Sequence, residues 1–154
     1  MILIDANLLI YAHNTEAPQH RAAQEWLESI MSGQDPVRLP WAALLAFLRL
    51  ITNSRVMAHP KSLTDACAIV SEWLAQPHVD ILEPTARHWE VLQEVLTAGQ
   101  ALGPLVADAH LAALAIEHGA TVYTTDRDFA RFPGLKWINP IEEPAGSRSG
   151  PSVD

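Results

Sequence analysis

With 154 residues, 49% of them hydrophobic and 18% charged, the chain has the size and composition of one globular domain with its own core. No run approaches the roughly 18 apolar residues of a membrane span. A formal charge of −8 argues against adhesion to nucleic acid or anionic lipid through Lys and Arg alone, but leaves room for a cation-holding acidic cluster or a basic protein partner.

In chain order, Met1 to Ile4 is apolar and rich in Ile and Leu, the pattern of a strand buried on both faces of a parallel sheet. Asp5 falls at its carboxyl end and Asn7 follows two residues on. In open α/β sheets that edge borders the ligand crevice, so Asp5 is placed for chemistry. The competing reading makes Asp5 the cap of a turn or helix beginning near Leu8. No basic residue precedes the apolar run, so no signal peptide is expected and a cytoplasmic chain is. The single cysteine, Cys67, sits among small and apolar neighbours and reads as a core residue, not a disulfide partner or metal ligand.

An amphipathic stripe predicts a helix from His20 to Met31, stopped near Gly33. Val37–Leu39 is a short strand, and Pro40 opens a helix from Trp41 to Thr52 apolar enough to be buried on most sides. After a linker carrying Arg55 come a helix from Ser62 to Leu74, a strand at Val79–Leu82, and a helix through Trp89 and Leu96 capped by Thr85. Leu105 to His118 is a helix ended by Gly119. Thr121–Tyr123 is a strand, Thr124–Phe129 turns into a short helix, and Leu135–Ile138 is a last strand. Strands alternating with helices predict an α/β fold, a three-layer α/β/α sandwich with a central parallel sheet, over residues 1–140. Residues 141–154, rich in Pro, Gly and Ser, are expected to be a disordered tail.

Three acids carry the chemistry. Between Leu105 and Ile116 only Asp108 and His110 are polar, so Asp108 is a carboxylate near the buried start of a helix that offers it no Lys or Arg. Such a group needs a cation, hydrogen bonds or a proton, unless the free N–H groups and dipole of the first turn suffice. Asp126 follows the Thr121–Tyr123 strand and emerges on the same sheet edge as Asp5 if the two run parallel. Either Asp126 or Asp128 caps the next helix, leaving the other for a site. Acids converging there favour a hard cation, Mg²⁺ with Mn²⁺ as substitute. The seven histidines show no zinc-like spacing and read mostly as surface or satisfied core residues; His110, two positions from Asp108, lies on another helix face.

Ile4-Asp5-Ala-Asn7, the Asp108 helix with His118-Gly-Ala, and Thr124-Thr-Asp126-Arg-Asp128-Phe resemble the motifs of PIN-domain ribonucleases, specifically the VapC toxins of bacterial type II toxin–antitoxin systems. The resemblance covers residues 1 to about 140 and implies Mg²⁺-dependent endoribonuclease activity on structured RNA of the tRNA or rRNA class. It also implies a homodimer and inhibition by a VapB-type antitoxin, with no membrane role. Asp5, Asp108 and Asp126 match the family's acids, with Asp128 as understudy; Asn7 matches the polar residue and Thr125 the hydroxyl that supports the first acid. The departure is the family's second acid, a Glu three residues before an Arg: counting back from Arg49 gives Ala46. A subset whose helix opens with Trp, as Trp41 does, runs without it, and Glu83 or Glu90 stand as substitutes.

On this reading Asp5 and Asp108 are direct metal ligands, Asp126 acts through water, and Asn7 orients the cluster. Arg49, Arg55, Arg127 and Arg131 are phosphate contacts or solvated surface residues, and Trp41 is a base-stacking or, more simply, a core side chain. Two rivals remain: an Asp5-nucleophile phosphohydrolase, and a PIN-like RNA- or protein-binding module that has lost catalysis with the missing Glu.

Overall fold

The structure, a computed structural model, describes residues 1–142; the expected tail lies, from residue 143 on, outside the described residues. Its frame is a five-stranded sheet of β1 (Ile2–Ile4), β2 (Val37–Pro40), β3 (Val79–Leu82), β4 (Thr121–Tyr123) and β5 (Trp137–Ile138). The strands lie in the order β3-β2-β1-β4-β5 and every pairing is parallel. The connections turn one way from β1 to β2 and the other way to β4, so the switch point of the sheet lies between β1 and β4, at whose carboxyl ends Asp5 and Thr124 stand.

Side-chain alternation divides the sheet between two cores. Ile2, Ile4, Val37, Leu39 and Val79 face α1 (Ala6–Tyr11), α2 (His20–Met31), α3 (Trp41–Ile51) and α4 (Leu63–Leu74). Leu3, Leu82 and Val122 face α5 (His88–Gly99), α6 (Leu105–His118) and the 3₁₀ helix Arg127–Arg131. The three layers expected from the strand–helix alternation are therefore present. Among the described residues no helix is long and apolar enough to cross a membrane.

Four local expectations are corrected. In α3 the stripe Ala43, Leu44, Phe47 and Ile51 is buried, but Trp41 and Leu45, one turn apart on another face, are 52% and 60% exposed. The core tryptophan is instead Trp73 of α4, packed on Phe47. Cys67 is exposed, because the inward stripe of α4 runs through Ala66 and Trp73 and position 67 is turned about 100° from 66. Thr85 does not cap α5: the helix starts at His88, and the Thr85 hydroxyl donates to Glu117 Oε1 at 2.6 Å. Glu117 also meets His88 Nδ1 at 2.5 Å, and His88 Nε2 meets His110 Nδ1 at 2.9 Å, a seam joining α5 to α6 that turns His110 away from Asp108. Four other histidines, His13, His20, His78 and His118, each bond a backbone carbonyl, as satisfied structural residues do.

Candidate metal centre

The centre grows from the register of β1 on β4. Leu3 pairs with Val122 and Ile4 with Tyr123, and the Asp5 N–H donates to the Tyr123 carbonyl at 3.0 Å. One residue further the same register sets Asp5 beside Thr124. Leu3 and Val122 belong to the α5–α6 core, so by the period-two pleat Asp5 and Thr124 share that face. The Thr124 hydroxyl donates to Asp5 Oδ2 at 2.8 Å and accepts from Asn7 Nδ2 at 3.2 Å and from the Asp126 N–H at 3.0 Å. Its one proton and both lone pairs are then in use, which fixes its orientation.

This corrects the sequence expectation that Thr125 supports the first acid. Thr125 lies one residue on and therefore on the other side of the pleat, and its contact is a long backbone N–H bond of 3.5 Å to Asn7 Oδ1. Counting the pleat from Val122 would have selected Thr124, the single buried polar residue among those described.

Asp5 both caps and faces the crevice. It occupies the N-cap of α1, and its Oδ1 accepts from the Ala6 N–H at 2.8 Å. Burial pushes its carboxyl up, the bonds from Thr124 and Ala6 pull it down, and the charge of Asp126 adds to the rise. Both oxygens are engaged, one by the Ala6 N–H and one by the Thr124 hydroxyl, which fixes the orientation of the carboxylate.

Asp126 likewise does two jobs, capping the 3₁₀ helix with Oδ1 on the Asp128 N–H at 2.8 Å. Asp108, in the first turn of α6, joins it. One carboxylate oxygen from each of Asp108, Asp126 and Asp128 lie within 4.8 Å of one another. Partial burial, then the charges of Asp126, Asp5 and Asp128, push Asp108 up to about 6, against a smaller opposing pull from Arg131. Asp108, Asp126 and Asp128 thus form the close group; Asp5 stands outside it but near enough for its charge to act on Asp108, and Asn7 is tied to Asp5 and Asp126 through the Thr124 hydroxyl.

Neither proposed substitute for the missing Glu reaches it. Glu83 follows the edge strand β3, with its carbonyl accepting from His118, and Glu90 pairs with Arg87 at 3.8 Å. Ala46 packs into the α1–α4 core. The donor set suits a hard divalent cation, being carboxylate oxygen throughout, and such a cation would offset both the burial and the neighbouring charges that raise Asp108.

A family model described as the PIN domain matches residues 2–135. Ribonuclease VapC33 of Mycobacterium tuberculosis is 43% identical over 143 residues, covering 93% of this chain and all of the relative. Ribonuclease VapC37 of the same organism is 42% identical over 140 residues, covering 91% of this chain and 97% of its own. Among solved structures, VapBC2 from Rickettsia felis bound to a DNA fragment from their promoter superposes with a TM-score of 0.65 at 20% identity, over 90% of this chain and 98% of that one.

Proposed function

This chain belongs to the PIN-domain family, within the VapC ribonucleases, and from that premise we propose that it is a toxin endoribonuclease that needs Mg²⁺, or Mn²⁺ in its place, to cut structured RNA. The observation that carries the reading is the set of carboxylates at the switch point: Asp108, Asp126 and Asp128 with oxygens within 4.8 Å, and Asp5 near enough for their charges to be felt. Asp5 and Asp108 would hold the cation with Asp126 and Asp128 completing the set. When bound, the cation supplies positive charge to the oxygens of the scissile phosphate and acidity to the attacking water.

The protein's own part is preorganisation. Thr124 and the Ala6 N–H hold Asp5 in one orientation, Asn7 braces Thr124, and the cap on the 3₁₀ helix fixes Asp126 against Asp128. An acidic crevice repels a bare phosphate backbone, so substrate entry depends on the cation and on strands that can be splayed out. Single-stranded loops of structured RNA, of the tRNA or rRNA class, meet that need and duplex does not.

The partner we propose, on the family and on the VapBC complex it resembles, is a VapB-type antitoxin, and the negative charge fits one that lays an apolar helix on this chain and presents at least one Arg or Lys to the acids. A homodimer completes the proposed assembly. Incubating the purified protein with a structured RNA tests the reading. Loop-restricted cutting with Mg²⁺, lost in EDTA and in Asp108→Asn, supports it; equal cutting of a perfect duplex, or cutting in EDTA, overturns it.

A further inference from the structure

Four arginines stand as possible phosphate contacts, and the structure separates them. Arg127 is paired with Glu142. Arg49 and Arg55 are exposed on α3 and the following loop, and neither is among the charges that act on Asp5 or Asp108. Arg131 is exposed too, but it is anchored to the fold and its charge acts on Asp108.

It is the last residue of the 3₁₀ helix that begins at Arg127, three positions after Asp128. With three residues per turn, positions i and i+3 eclipse, so Asp128 and Arg131 lie on one face of that helix. Its guanidinium Nη1 donates to the carbonyl of Gly99, the last residue of α5, at 3.1 Å. That carbonyl is one of the unpaired acceptors at the negative end of a helix, a natural anchor for a cation. The anchor depends on close packing, since a Cβ on Gly99 would lie 2.6 Å from Phe132 Cδ1.

The anchor also holds Arg131 out of the acid cluster. Its charge reaches Asp108, yet among the described residues it forms no ion pair within 4.0 Å and no other hydrogen bond. A guanidinium that collapsed onto the carboxylates would act as their counter-ion and compete with the metal. Tethered at the rim, it keeps its remaining N–H donors for an oxyanion.

We propose that Arg131 is the substrate-phosphate contact of this crevice, its guanidinium gripping a backbone phosphate of the RNA strand beside the acids while the Gly99 carbonyl holds it in place. The proposal rests on the ribonuclease reading. A contact made equally in ground and transition states acts on KM, not on kcat.

The experiment measures kcat and KM for metal-dependent cleavage of one structured RNA, and the salt dependence of kcat/KM, in the parent, Arg131→Gln, Arg131→Lys and Arg127→Gln. Arg131→Gln is expected to raise KM about tenfold with kcat within threefold, and to lower the log–log salt slope by about 0.7, the share of one phosphate on a single strand. Arg131→Lys, which keeps the charge, recovers most of the loss, and Arg127→Gln stays within twofold of the parent. A merely structural role for Arg131 would leave the salt slope unchanged. If the parent cuts and Arg131→Gln matches it, or both arginine-to-glutamine variants fall equally, the assignment is overturned alone. A parent that cuts no RNA overturns the ribonuclease reading and the assignment with it.

Discussion

The Thr124 hydroxyl donates to Asp5 Oδ2 at 2.8 Å, across two parallel strands whose residues are 119 positions apart in sequence. Through that bond the β1–β4 register becomes the geometry of the acids, because the same hydroxyl also receives Asn7 and the Asp126 N–H.

Replacing Thr124 with Val keeps the shape but leaves Asp5 Oδ2, Asn7 Nδ2 and the Asp126 N–H each without a partner. Thr124→Val should lose about 1 to 3 kcal/mol of stability, while Thr124→Ser, which keeps the hydroxyl, loses about 1 kcal/mol or less. Urea unfolding of both variants checks this. A valine variant as stable as the parent would show that the network is dispensable.

The raised Asp108 sets a pH dependence. Its carboxyl sits at about 6 in the fold against 3.8 unfolded, so between those values the folded state holds the proton that the unfolded state has released. Metal-free stability therefore falls as pH rises from 3.8 to about 6 and is flat, for this group, above that. Asp108→Asn removes the charge and should melt higher than the parent in EDTA at pH 7, by an amount worth about 1 kcal/mol once solvent screening of this part-exposed group is allowed for. Thermal melts across pH 4 to 8 check both statements. An asparagine variant that melts lower would mark Asp108 as a structural first-turn residue.

Gly99 is a packing position. Gly99→Ala forces a methyl into the ring of Phe132, which is buried and has little room to yield. Overpacking costs about 1 to 3 kcal/mol, against at most about 1 kcal/mol gained from helix propensity, so a net loss is expected in chemical denaturation. The shift should also carry Arg131 with it, raising KM for RNA; an alanine variant with unchanged stability and KM would contradict the tight approach.

The backbone pattern was the legible part of this chain. Period-two and period-3.6 signals, with Pro40, Ser62 and Gly119 as punctuation, place the strands and long helices, and the Asp5, Asp108 and Asp126 positions follow from strand ends and a helix start. Less legible was whatever depends on which way a side chain turns. Trp41 and Cys67 have apolar sequence neighbours but lie off the inward stripes of their helices. Thr124 and Thr125 are indistinguishable by motif and separated only by the pleat. Arg131 needed the tertiary meeting of the 3₁₀ helix with the end of α5, 32 residues earlier, which no local pattern encodes.

Titration of the purified protein with Mn²⁺, followed by the paramagnetic signal of the free ion, tests the central claim that these carboxylates form a divalent-cation site. The parent should take up Mn²⁺ saturably, Mg²⁺ should displace it, and Asp108→Asn should lose at least tenfold in affinity while remaining folded. A parent that leaves Mn²⁺ free at millimolar concentration, or an asparagine variant that binds it equally well, would contradict the account.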